Sequence, residues 1–248
     1  MDSAYFYEFL GTFILILLGD GVVANTVLKH TKSEGAGWLT VTMGWGLAVF
    51  MGVTISAPYS GAHLNPAVTI GLATGGLFDW AQVLPYILSQ LAGAFVAALV
   101  VYLYFKKHFD QTEDPNLHLA VFSTAPAIRN VSSNLFSETV GTFVLLVLVF
   151  FIAGPSFEAE NMENVVIGLG SIGALPIALV VTGIGISLGG TTGYAINPAR
   201  DLAPRIAYAL LPFHKKISAD WSYGWIPVAG PIIGALLAAG LYLYSLGL

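Results

Sequence analysis

The chain has 248 residues, 56% of them hydrophobic and only 9% charged, with a mean hydropathy of +0.78 and a formal net charge of −5. Those values exclude a soluble globular domain and describe a polytopic membrane protein. Cysteine is absent, so disulfides and thiolate metal sites are excluded too.

In chain order, Met1-Asp2-Ser3 lacks the basic region of a cleavable signal, so the first apolar run, 4–27, is expected to stay as a span. It carries Glu8-x-x-Gly11-Thr12-Phe13. A second span is expected over 39–57. Beyond it, Asn65-Pro66-Ala67 reads as a helix start. Asn caps orphan backbone N–H groups, and Pro at the first helical position loses no hydrogen bond. The helix it opens, 66–75, rises about 15 Å, half of a membrane core about 30 Å thick, and so reads as a re-entrant half-helix. A third span covers 83–105, with a row of small residues, Gly93, Ala94, Ala97 and Ala98. Pro115, Pro126 and Asn130 then point to an ordered-turn connection, and Asn130-Val131-Ser132 is a glycosylation sequon only where it faces a secretory lumen.

The second half repeats this grammar. A fourth span, 135–153, carries Glu138-x-x-Gly141-Thr142-Phe143, a second copy of the pattern that begins at Glu8. Glu158, Glu160 and Glu163 precede a fifth span, 165–188. Asn197-Pro198-Ala199, set off from Glu138 almost as Asn65 is from Glu8, opens a second half-helix, 198–210. A polar stretch around Lys215 to Trp221 leads to the sixth span, 225–248, where Gly234, Ala235, Ala238 and Ala239 repeat the small-residue row. Both rows suit close helix packing. We therefore expect one domain over 1–248, built from repeats 1–110 and 133–248. Three spans per half is an odd number, so the second half lies inverted in the membrane. The fold class is an all-α membrane protein with six spans and two half-helices that enter from opposite faces and meet, Asn65 to Asn197, near the midplane.

Two helix N-termini aimed at one point carry about half a positive elementary charge each, which repels cations and hydrated protons. The Asn amides offer donors to the oxygen of a passing molecule. Upstream of the half-helices, Gly61, Ala62, His63 and Leu64, and Gly193, Tyr194, Ala195 and Ile196, must be non-helical at membrane depth. Such backbone is tolerated where its carbonyls face a polar cavity, so these stretches read as two acceptor ladders. Glu8 and Glu138, once per half, suit acceptors for the buried N–H groups of those loops.

Ser60-Gly61-Ala62-His63-x-Asn65-Pro66-Ala67-Val68-Thr69 and Gly193-x-x-x-Asn197-Pro198-Ala199-Arg200-Asp201 resemble the two signature loops of the aquaporin family, and the resemblance covers nearly the whole chain. It implies an aquaporin-like bundle with one pore per protomer and a homotetramer in the lipid bilayer. Asp201, Arg205 and Pro227 followed by the non-aromatic Val228 resemble the glycerol-facilitator subclass. By spacing from the two Asn residues, the resemblance implies a selectivity filter of Trp45, Gly185, Tyr194 and Arg200. Gly185, where water-selective relatives usually have His, is expected to leave room for something wider than water. Trp45 and Tyr194 would face the carbon backbone of a polyol, and Arg200 its hydroxyls. Tyr194 stands where bacterial glycerol facilitators commonly have Phe.

The reading is a passive channel for glycerol, water and other small neutral solutes such as urea, with a strictly water-selective channel of the same fold as the alternative. A coupled transporter would want ion-coordinating residues at the midplane. A cation channel would want acidic rings or a carbonyl filter, and an intramembrane enzyme a nucleophile with its base. No enzyme activity, metal, cofactor or nucleic-acid partner is implied. All nine Lys and Arg residues fall on one side of the six-span layout, which alone would put both termini outside. The family resemblance implies cytoplasmic termini in a plasma (inner) membrane.

Overall fold

Long apolar runs without competing turn chemistry become helices, because a helix satisfies its own backbone where no water is available. The computed structural model describes residues 3–152 and 168–248, and Glu158, Glu160, Glu163 and the first turn of the fifth span lie outside them. The described residues are helical, without strands. In the first half, α1 (Ser3–Val27), α2 (Trp38–Ser60) and α4 (Trp80–Tyr104) are spans, and α3 (Pro66–Thr74) is the half-helix between the last two. Two short helices, α5 (Lys106–Gln111) and α6 (Pro115–Phe122), make the connection between halves. The second half consists of α7 (Val131–Phe151), a 3-10 turn (Gly170–Ala174) leading into α8 (Leu175–Ser187), the half-helix α9 (Pro198–Leu210), and the short α10 (Trp221–Gly224) leading into α11 (Ile226–Ser245).

Several boundaries run past the apolar windows. Asp79 accepts from the N–H of Ala81 at 2.9 Å and so starts α4 at Trp80, ahead of the hydrophobic stretch. Asn130 caps α7 through the N–H of Ser133 at 3.0 Å. The connection expected to be turns holds a helix because Asp114-Pro115 is another cap followed by a first-position proline, with Asp114 accepting from the N–H of Asn116 at 2.9 Å. An aromatic cluster of Phe109, Phe122, Tyr208 and Phe213 fastens this connection to α9.

Within each half the spans pack through glycine. A Cβ at Gly93 of α4 would lie 2.2 Å from the Phe9 carbonyl oxygen of α1, and one at Gly234 of α11 would lie 2.3 Å from the Thr139 carbonyl oxygen of α7. These positions are equivalent in the repeat, and at both the backbones touch. Between halves, α2 meets α8, and each half-helix packs on the last span of the other half, α3 on α11 and α9 on α4. That exchange places the two half-helix N-termini against each other. Leu39, Met43, Leu47 and Met51 line an outer face of α2 at helical spacing, exposed in the single protomer.

Gly93→Val and Gly234→Val should each abolish a monodisperse particle in detergent, since the group a new side chain meets is backbone and cannot swing away. Gly240→Val, where a Cβ meets nothing within 4 Å, should keep its elution profile and unfolding midpoint. Size-exclusion chromatography and thermal unfolding of the three variants check this.

Candidate solute pore

Gly61 ends α2 in a left-handed conformation, φ 79°, where the absent Cβ removes the usual penalty. The chain then runs through Ala62 and Leu64 at φ 53° and 50°, and the second loop does the same at Tyr194 and Ile196, φ 37° and 42°. Each such residue costs roughly 1–3 kcal/mol and persists only where the surroundings hold it. Two buried carboxylates do so. Glu8 accepts from the N–H of His63 at 2.9 Å and of Leu64 at 2.8 Å, and from the Ser60 hydroxyl and Gln90 amide at 2.7 Å each. Glu138 accepts from the N–H of Ala195 at 3.0 Å and of Ile196 at 2.9 Å. The His63 ring lies 3.2 Å from the Thr69 hydroxyl, against Phe78 and Tyr86.

Asn65 and Asn197 cap α3 and α9, each accepting through Oδ1 from the N–H two positions on, Ala67 and Ala199, at 2.9 Å. Their amide nitrogens cross the pseudo-symmetry axis: Asn65 donates to the Ile196 carbonyl and Asn197 to the Leu64 carbonyl, both at 2.8 Å. One of the two hydrogens on each amide is therefore spent on the opposite loop, and one remains for a solute. Pro66, Ala67, Pro198 and Ala199 are buried behind these caps.

A cavity of about 160 Å³ runs past both Asn residues, the loop stretches 61–64 and 194–197, and the trio Trp45, Tyr194 and Arg200. Its remaining wall is aliphatic, including Leu15, Val49, Val53, Leu145 and Val181. The Arg200 guanidinium lies 4.1 Å over the Trp45 ring, within cation–π reach. Gly193, expected in the acceptor ladder, is not among the residues bordering this cavity, and a Cβ there would meet Thr124 at 3.2 Å. Gly185 is not on the wall either. A Cβ at Gly185 would lie 2.7 Å from Tyr194 Cζ and 2.8 Å from its hydroxyl oxygen. The room expected for a wider solute is thus occupied by the Tyr194 ring, and glycine lets that ring withdraw from the axis. Asp201 and Arg205 are fully buried away from the cavity. Arg205 Nε donates to Asp201 at 2.7 Å, and its terminal nitrogens donate to the Ala219 and Thr124 carbonyls at 2.7 and 2.9 Å. Pro227 and Val228 sit in the first turn of α11, also off the wall.

Residues 2–242 match the model of a family described as Major intrinsic protein. The chain belongs to the major intrinsic protein family. It is 53% identical over 238 residues to the glycerol uptake facilitator protein of Streptococcus pneumoniae, covering 96% of this chain and 97% of that one. It is 52% identical over 240 residues to the probable glycerol uptake facilitator protein of Thermotoga maritima, covering 97% and 98%. The X-ray structure of the aquaglyceroporin from Plasmodium falciparum superposes with a TM-score of 0.81 at 32% identity, covering 96% of this chain and 93% of that one.

Within this major intrinsic protein frame, sequence reasoning missed three residues at the pore. The Trp38 indole donates to the Gly185 carbonyl at 2.9 Å and meets the Tyr194 ring edge-on at 5.8 Å, so it helps seat that ring. Gln90 links Glu8 to the Thr69 hydroxyl at 3.0 Å. Asp20, 3.7 Å from Arg200, is the third. Gln90 and Asp20 carried a usable signal, since a polar side chain within an apolar span is a functional candidate by default.

Glu138→Ala leaves the N–H groups of Ala195 and Ile196 buried without an acceptor, which costs about 1–3 kcal/mol each. A lower unfolding midpoint with loss of both water and glycerol flux is expected. Gly185→His forces the new ring against Tyr194, so glycerol flux should fall more than water flux in proteoliposomes. Equal loss of both would remove Gly185 from the control of pore width.

Proposed function

We propose that this protein is a passive channel that conducts glycerol, water and other small neutral solutes such as urea across a plasma (inner) membrane, without an energy source or cofactor. The observation that carries the reading is that the rings of Trp45 and Tyr194 and the guanidinium of Arg200, which lies over Trp45, border a single cavity. A polyol presents carbon on one side and hydroxyls on the other, and this corner matches both. Its relatives' names, glycerol uptake facilitator, support the same substrate.

In this account Trp45, Tyr194 and Arg200, with Gly185 behind the tyrosine, select by size and by hydrogen bonding. Asn65 and Asn197 orient the oxygen of the solute at the midplane, where the opposed N-termini of α3 and α9 exclude cations. The carbonyls of the two loops accept hydrogen bonds along the file, and Glu8 and Glu138 hold the loops in shape. Asp201 and Arg205 brace α9 against the connection between halves. The outer apolar face of α2 supports assembly into a homotetramer within the bilayer. Both termini face the cytoplasm, as in the family at large, and a C-terminal reporter active only on the outer side would overturn that orientation.

Stopped-flow light scattering on proteoliposomes tests the reading. An impermeant osmolyte should give fast protein-dependent shrinkage, and glycerol should give shrinkage followed by reswelling. Fast shrinkage without reswelling would establish the strictly water-selective alternative. Arg200→Ala should relax selectivity toward larger solutes or ions, and unchanged selectivity would remove Arg200 from the filter.

A further inference from the structure

Four ionisable side chains are buried on or beside α9, namely Asp20, Arg200, Asp201 and Arg205. Asp201 and Arg205 close on each other. Besides Arg205, the Asp201 carboxylate accepts from the Thr124 N–H at 2.8 Å and hydroxyl at 2.7 Å, so its partners are Arg205 and Thr124. Asp20, fully buried in α1, is in the opposite condition. Neither of its oxygens has a hydrogen-bond partner among the described residues, and neither does Nη1 of Arg200. These orphans face each other at 3.7 Å, with side chains 0% and 8% exposed.

The neighbouring residue supplies a second contact. A Cβ at Gly19 would lie 2.2 Å from the Trp45 ring, so α1 seats Trp45 at Gly19 and faces Arg200 at Asp20. One turn of α1 thus backs both groups of the cation–π pair. At this separation the ion pair is Coulombic and lies beyond hydrogen-bonding distance, so Asp20 forms no hydrogen bond with Arg200.

We propose that Asp20 is the counter-ion of the constriction, a positioning residue that holds Arg200 over Trp45 without consuming its donors and cancels its charge so that the pore does not attract anions. This rests on the reading of Arg200 as a filter residue of a neutral-solute channel. Arg200 and the N-termini of α3 and α9 are all positive, and alone they would exclude cations while concentrating anions. With Asp20 behind the arginine, the narrowest part of the path carries a balanced pair, and both signs of ion are refused.

The test uses proteoliposomes of the full chain as wild type, Asp20→Asn, and Asp20→Asn with Arg200→Gln. Glycerol reswelling is measured beside uptake of nitrate, an anion with no neutral form at neutral pH, under a potassium–valinomycin clamp. Asp20→Asn is expected to raise protein-dependent nitrate flux about ten-fold while lowering glycerol flux, and the double variant, which lacks the unpaired positive charge, to carry less nitrate than the single variant. A packing role alone would change glycerol flux and leave nitrate flux within about two-fold of wild type, and that result overturns the proposal. Should Asp20→Asn fail to give a monodisperse particle, the double variant carries the test. Removing the unpaired arginine should restore yield and unfolding midpoint, and a double variant as unstable as the single one overturns the proposal. Absence of glycerol reswelling in the wild type would bring down the parent reading and this one with it, which separates the two failures.

Discussion

The whole pore depends on one constraint: two stretches of chain, 61–64 and 193–196, sit at membrane depth outside any helix, and every buried N–H among them needs an acceptor. Glu8 and Glu138 meet that need from neighbouring spans, each taking two adjacent loop N–H groups. Because those N–H groups turn to the carboxylates, the opposite edge of each loop is free to face the cavity. The same anchoring fixes where α3 and α9 begin, and hence where their positive ends meet.

From that meeting point the rest follows by short steps. Each Asn spends its oxygen on its own helix and one hydrogen on the opposite loop, so the two halves are stitched together at the place where solute passes. Beside this junction the cavity is bordered by the side chains of Trp45, Tyr194 and Arg200. A cavity lined mostly by apolar side chains, with the two Asn residues and Arg200 on its wall, suits a small neutral molecule.

Much of this was legible in the sequence because it is written in local grammar. Asn-Pro at a helix start, a Glu that recurs once per half and half-length apolar segments each report a backbone requirement that one or two residues satisfy. Boundaries were less legible. Hydropathy sees lipid contact and misses caps, so Asp79, Asp114 and Asn130 extended or created helices beyond the apolar windows. The Gly185–Tyr194 relation was hidden for a different reason. Whether a missing side chain leaves a void or a seat depends on which way the following loop turns its ring, and the composition at either position carries no such information. The Asp20–Arg200 pair joins α1 to α9, elements in opposite halves of the chain, and only the packed fold brings them together.

Passive, charge-excluding conduction is the central claim, and simultaneous recording of solute and proton movement tests it most directly. Wild-type proteoliposomes containing an entrapped pH dye, held under a potassium–valinomycin potential, would be challenged with glycerol. The account predicts rapid glycerol entry whose rate is indifferent to the potential and to any imposed proton or sodium gradient, with internal pH following that of empty vesicles. A proton or sodium flux that rises in proportion to glycerol entry would contradict it and make the protein a coupled transporter.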